Sequence, residues 1–389
     1  MTRWAVRRPS TFLLLYALAW AGGTIAYVPF LTLLLPAHVG ALAGAAQIGW
    51  LGTLTFAGAI AASGAHIGFG WLSDVTRRRK PWIVGGLIAM TALLAELGQA
   101  RSLPQILLLL VLWQTALNAV LGPLSAWAGD RIPDAEKGTL GGFLAFAPAA
   151  GALTGMAVTW PGLVAMPLRH GVIAAIVAAC ILPIVLFGKE CPPDPAAAPP
   201  APRRTAPAAR AMWLARLLVQ VSEAALFAYF YLWFRTLSDA NDDASAARLI
   251  ALVLFTGAPL ALLAGRLADA RGTPILPLKA SALVGAAGLG VMALARAPAV
   301  GVAGYVVFGL ATSLFLALHS AQTLRVLPRP DRRGRDLGVF NLTNTVPSLV
   351  MPGLTVALVP RLGFEALFAV LAGLSLAAFV LLQRAFPRA

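Results

Sequence analysis

The chain is short of acids. Only 15 of its 389 residues are Asp or Glu, against 30 Lys and Arg, and charged residues of both signs make up 12%. A soluble globule carries about 25%, so this chain lacks the polar surface that water demands. Cysteine is scarce too. Cys180 falls inside an apolar run and Cys191 in a stretch expected to be cytoplasmic and reducing, so neither a disulfide nor a metal site is indicated. No Gly-rich loop closes on Lys-Ser or Lys-Thr, which removes the phosphate cradle of an ATP-driven pump. Four histidines and scattered Ser and Asp do not assemble a hydrolase. No catalytic residue, cofactor or metal ligand is therefore assigned, and an enzyme is not expected.

What the chain has is apolar length. Hydrophobic residues reach 59% and mean hydropathy is +0.81. Runs of about 20 apolar residues recur, each able to cross ~30 Å of hydrocarbon as a helix. The runs are continuous rather than alternating, and a helix bonds its own backbone, so helices rather than barrel strands are predicted. Twelve spans follow, over roughly 11–35, 47–67, 82–99, 104–126, 139–160, 170–188, 213–237, 247–264, 275–295, 298–320, 338–360 and 364–383. The fold class is an all-α, multi-pass membrane protein. Between the sixth and seventh spans, residues 189–212 hold seven prolines among alanines and arginines, a composition that reads as a flexible linker. The expected units are thus a six-helix bundle over 1–188, the linker, and a second bundle over 213–389.

A net charge of +15 raises the question of nucleic acid, and its placement answers it. With loops alternating sides, Arg101, Arg169, Arg235, Arg248, Arg296 and Arg361 lie on or near one face, and the other 24 Lys and Arg lie on the opposite one. Lys and Arg gather on the cytoplasmic side, which predicts both termini inside and no nucleic-acid partner. Arg3, Arg7 and Arg8 before an apolar run look like a signal peptide, but with no clear cleavage site the run reads as a retained first span. A monomer in the lipid bilayer is expected, in the cytoplasmic membrane of a bacterium.

The halves echo each other. Gly70-Trp-Leu-Ser-Asp74 returns as Gly265-Arg-Leu-Ala-Asp269, 195 residues on, and Leu140-Gly-Gly-Phe143 returns as Leu337-Gly-Val-Phe340, 197 residues on. The first echo runs into the basic cluster Arg77, Arg78, Arg79 and Lys80, and the second into Arg271-Gly272. These loops resemble the signature of the major facilitator superfamily, with Val75 and Arg77 where the family carries Arg and Gly. Trp71-Leu-Ser-Asp74, Arg79-Lys-Pro-Trp82 and Arg333 to Asn341 are also similar to its sucrose and glycoside–cation symporter branch. The resemblance implies two pseudo-symmetric six-helix bundles that tip about a central site. It implies that Asp74 faces the start of span 11, at Asp336-Leu337-Gly338, and, by the repeat, that Asp269 faces the start of span 5 near Thr139.

A carboxylate at a helix N-terminus is stabilised by about 0.3–1 kcal/mol on a wet surface and up to ~2 when partly buried. Gly70 and Gly265 allow close helix approach, and the cationic cluster can pair with Asp130, Asp134 or Glu136. Gly70, Asp74, Arg77, Arg78, Arg79, Asp130, Gly265, Asp269 and Arg271 are accordingly expected to form a breakable cytoplasmic gate. The bland alternative is that the basic run serves only to orient the chain.

The resemblance places the binding site between the halves, with spans 1, 4, 7 and 10 as lining and spans 2, 5, 8 and 11 beside them. Polar residues fall on such spans: Tyr16, Trp20, Thr24 and Tyr27 share a face of span 1, Gln114 and Asn118 one of span 4, and Asn341, Asn344, Thr345 and Ser348 a stripe on span 11. Interhelical glue is the competing role for each. Glu223 lies about ten residues into span 7, where an ionised carboxylate costs at least ~2.5–3.5 kcal/mol, so it is the candidate proton carrier; otherwise it is a structural acid bonded to a hydroxyl or to Arg216. Gln220, Phe227 and Tyr231 share its face. Glu96 and Glu365 near outer ends read as interfacial ion-pair partners rather than relays, and His66 and His319 near inner ends as satisfied polar residues rather than proton carriers. Span 2 lacks the acids of sodium-coupled relatives, which favours protons. The amides and aromatic rings suit a small sugar or glycoside taken up with protons. Proton-coupled efflux of a drug or metabolite, selected by the single central acid, stays open, as does a non-transporting sensor or a multi-pass enzyme.

Overall fold

The computed structural model describes residues 9–189, 206–237, 243–327 and 330–387. Most of the expected linker, with Cys191, lies outside the described residues. Every regular element described is helical. Ser10 caps the first helix, α1 (Thr11–Pro29), by accepting from the Leu13 amide, satisfying one of the amides a helix start leaves unpaired. Pro29 cannot donate to the ladder, and the helix passes through a π-helical turn at Phe30–Leu34 before continuing as α2 (Leu35–Ala43). Next come α3 (Gln47–Val75), α4 (Lys80–Leu97) and α5 (Leu103–Arg131), the last capped by Ser102. The expected fifth span is two pieces, α6 (Lys137–Leu144) and α7 (Ala147–Thr159), and α8 (Arg169–Phe187) closes the first half.

The second half holds α9 (Ala206–Leu237), α10 (Asp243–Arg271), α11 (Leu276–Leu294), α12 (Pro298–Val326) and α13 (Arg333–Ala385). The expected spans 11 and 12 run together in α13, broken only at Gly363, whose φ of 77° no ordinary helical residue adopts. Nine helical stretches among the described residues are long and apolar enough to cross a membrane, and the protein is an integral, multi-pass membrane protein. The expected spans 47–67 and 213–237 lie in α3 and α9, outside those nine, and 338–360 lies in the first part of α13, overlapping them only from Ala357 onward.

The helices overrun their predicted inner ends: α3 by about two turns and α5 by more than one, because polar residues at the bilayer surface extend a helix without extending its apolar run. The buried core of the first half is one cluster from Leu13 to Ile184 that takes in Ala321, Leu324 and Leu337 of the second half. The second half adds two clusters of its own, one around Phe230, Trp233, Phe308 and Phe368, the other around Met212, Phe315 and Leu382. The shared members lie where α3, α5 and α6 meet α10, α12 and α13. This is the end of the molecule that carries the basic cluster.

The turn after α3 keeps its shape without its glycine. Gly272 ends α10 in the left-handed region (φ 66°), with the Thr273 amide bonded to the Ala268 carbonyl. Arg77, 195 positions earlier, holds φ at 52° despite its Cβ, a conformation costing roughly 1–2 kcal/mol. Arg77→Gly is therefore expected to stabilise the detergent-solubilised protein by about 1 kcal/mol. A melting temperature that falls instead would show that the exposed Arg77 side chain contributes more than its backbone costs.

Candidate functional site

Two clamps join the halves at the basic end. In the first, the Gly334 and Arg335 amides donate to the Asp74 carboxylate at 3.0 and 2.9 Å. The helix start that meets Asp74 is thus two residues earlier than Asp336, because α13 begins at Arg333. In the second, the Gly138 and Thr139 amides donate to Asp269 at 2.9 and 2.7 Å, and the Thr139 hydroxyl adds a bond of 3.1 Å. Each carboxylate satisfies amides that a helix N-terminus leaves open and lies in the favourable field of the helix dipole.

Both contacts depend on reciprocal glycines. A Cβ on Gly70 would strike the Gly334 carbonyl and one on Gly334 the Gly70 carbonyl; Gly265 and Gly138 exclude each other's side chains in the same way. Of the four, Gly138 and Gly334 were not anticipated, although they are 196 residues apart and extend the second echo backwards.

The ion pairs around the clamps are selective. Arg79 donates to Asp74 at 2.7 Å and to Asp130 at 3.1 Å, and Arg333 donates to Asp130 at 2.7 Å. The side chains of Arg79, Asp74 and Asp130 are only 6%, 5% and 3% exposed, so these are buried pairs. Arg325 holds Asp269 at 3.0 Å. Arg77 and Arg78 are exposed and form no ion pair among the described residues, while Arg271 ends α10 beside Gly272. Asp134 pairs with Lys137, and Glu136 accepts from Ser10.

Beyond the clamps a cavity of about 900 Å3 opens between the halves. Its wall runs from Thr323, Leu324 and Leu337, next to the clamps, to Leu31, Leu35, Pro36 and Leu51 at the far ends of α1 to α3. Tyr16, Trp20, Thr24 and Tyr27 of α1 line it, as do Gln114 and Asn118 of α5, Gln220 and Glu223 of α9, and Asn341, Asn344 and Thr345 of α13. The side chains of Phe227, Tyr231 and Ser348 lie outside the described residues.

Several lining groups are already engaged. Asn118 bonds His66 Nδ1 at 2.9 Å and donates to the Gln114 carbonyl at 2.9 Å. Asn344 donates to Asn341 at 2.8 Å, and Glu223 accepts from Gln220 at 3.0 Å, not from Arg216. Arg216, Ser313 and Ser320 also line the wall. In the sequence Arg216 stands out only as a possible bonding partner of Glu223. His319 is held by the Met212 carbonyl (2.9 Å) and the Thr323 hydroxyl (3.1 Å). Among the described residues no group of His, Cys, Asp or Glu is placed to hold a metal ion.

A breakable pair that buries charge should be sensitive to loss of one partner. Asp74→Asn keeps one acceptor oxygen but strips Arg79 of an anion, and is expected to weaken the closed end by about 3 kcal/mol. The measurement is labelling of Leu337→Cys by an impermeant thiol reagent, with Cys180 and Cys191 changed to Ser. Labelling should quicken; unchanged labelling with normal insertion would count against the clamp.

A family model described as the Major Facilitator Superfamily matches residues 212–389. No curated protein matches the chain. Solved structures resemble it over nearly its whole length. The human organic anion transporter MFSD10 is 14% identical, with 97% of this chain and 100% of that one covered and a TM-score of 0.76. A variant of the E. coli fucose:proton symporter FucP is 15% identical over 96% and 98%, with a TM-score of 0.72. A bacterial homologue of the iron transporter ferroportin, in an outward-facing state, is 16% identical over 98% and 99%, with a TM-score of 0.70. At such identities the likeness is one of fold, and it covers the first half that the family model leaves unmatched. Residues 212–389 thus match the Major Facilitator Superfamily, and the chain as a whole has the fold of solved transporters.

Proposed function

We propose that this protein is a secondary transporter that carries a small hydroxylated organic solute, a sugar or glycoside, together with protons by alternating access. One observation supports the reading above others: amides, hydroxyls and aromatic rings from both halves line a single cavity that also holds the carboxylate of Glu223. Amides bond hydroxyl groups, and Trp20 and Tyr27 offer flat apolar faces against which a sugar ring can lie. FucP, one of the similar structures, is named a fucose:proton symporter, which makes sugar uptake the first class to test.

In this reading the clamped basic end faces the cytoplasm of a bacterium, and the cavity opens outward. A single chain completes the cavity, so a monomer suffices. Solute and proton enter together, the clamps part, and the halves tip to expose the cavity inside. Efflux of cationic drugs draws less support, because the guanidinium of Arg216 shares the wall with Glu223.

Glu223→Gln preserves the acceptor for Gln220 but cannot exchange a proton. In proteoliposomes it should abolish accumulation driven by an inward proton gradient, while solute counterflow continues at a comparable rate. Gradient-driven accumulation equal to that of the unaltered protein would remove Glu223 from the coupling step.

A further inference from the structure

Arg216 is a cation built into the cavity wall that makes no direct ion pair among the described residues; Glu223, on the same wall, attracts it only through space. Its Nη1 donates to the Leu316 carbonyl at 3.3 Å and the Ser320 hydroxyl at 3.1 Å, with His319 Nδ1 at 3.4 Å, and its Nη2 donates to Asn344 Oδ1 at 3.2 Å. All four partners are neutral, and among the described residues Arg216 makes no ion pair. Glu223 lies seven residues along the same face, about 10 Å by helical rise, and takes its bond from Gln220. A guanidinium removed from bulk water is costly unless an anion meets it. Its planar fork of donors fits the two oxygens of a carboxylate. Here Nη1 is spent on holding α9 to α12, whereas the Nη2 side meets exposed Asn344 in the cavity.

We propose that the transported solute carries a carboxylate, which docks on the Nη2 side of Arg216 while its hydroxyl groups meet the amides around Asn344 and Asn341. This deepens the hydroxylated-solute reading and rests on it: the solute class becomes the sugar acids. One carboxylate is favoured over a phosphate ester, because a single guanidinium would leave a dianion half neutralised in a cavity that also holds Glu223. The fixed bonds on Nη1 give the docking edge its direction, so the site is organised before solute arrives.

The test is thermal stabilisation of the full-length, detergent-solubilised protein by six compounds: D-glucuronate, D-galacturonate and D-gluconate, and their neutral counterparts D-glucose, D-galactose and D-glucitol. D-Glucose 6-phosphate serves as the phosphate control. At least one carboxylate should stabilise the protein at concentrations where its neutral counterpart does not. Arg216→Gln should weaken that binding about tenfold or more, and Arg216→Lys, which keeps the charge, should restore part of it even if the Gln variant folds poorly. Stabilisation by neutral sugars alone would overturn the carboxylate assignment and leave hydroxyl recognition standing. Preference for the phosphate ester, or equal carboxylate binding in Arg216→Gln, would also overturn it. No stabilisation by any of the seven would reject both this assignment and the hydroxylated-solute reading.

Discussion

The closed end depends on a carboxylate touching the first backbone amides of a helix that belongs to the other half. A helix start leaves amides unpaired and carries partial positive charge, so it attracts an acid, but only one that comes within hydrogen-bond range. Asp74 and Asp269 come that close because Gly70 lies against Gly334 and Gly265 against Gly138, backbone to backbone. A methyl group at any of the four would hold the helices apart and pull the carboxylates from their amides. The glycines and the aspartates are therefore one device. The four-residue spacing within Gly70–Asp74 and Gly265–Asp269 puts both members on one helix face, next to the same partner.

The two copies use this device with opposite charges at one position. Asp130 and Arg325 are 195 residues apart, each at the end of the helix that flanks its clamp. In the second half Arg325 meets Asp269 directly, and the pair is neutral. In the first half the equivalent residue is an acid, which would repel Asp74 if nothing stood between them. Arg79 fills that place, bonding both acids, and Arg333 balances the second one. The ion pairs described in each cluster thus sum to no net charge, the condition under which buried charges are tolerated. This explains why a basic run follows α3 while Pro274 stands where a second Arg79 would be. Of that run, Arg79 does the clamping, and exposed Arg77 and Arg78 fit the orienting role that an excess of basic residues plays.

The apolar runs made the helices legible, and the half-length echo made the pairing of Asp74 and Asp269 with distant helix starts a specific expectation. Helix ends were not legible, because hydropathy measures the hydrocarbon slab and not the helix that continues beyond it. The π-helical turn after Pro29 and the break between α6 and α7 were likewise hidden: proline and glycine are common within membrane helices, and only packing decides which of them interrupts the ladder. The polar stripes on α1, α5 and α13 converge on one cavity because amides and hydroxyls facing lipid are costly. Arg216, weighed in the sequence only as a bonding partner of Glu223, was not expected in the wall for the opposite reason. An arginine near the start of a span is ordinary as a flank, and its place in the wall follows from the overrun of α9, which begins at Ala206.

If the clamped end is the gate proposed above, it must also open, and the magnitudes allow it. A carboxylate at a helix N-terminus in a partly buried setting contributes up to ~2 kcal/mol, so two such caps bias the closed end by roughly 4 kcal/mol. Turning a 99:1 preference into its reverse takes about 5.5 kcal/mol of differential binding, a quantity that a few charge-assisted bonds to a solute can supply. The described ion pairs in the clamps are neutral in sum, and water can take up each carboxylate and guanidinium once they separate. The low cost of separation comes from the same choice of residues that makes the contact specific.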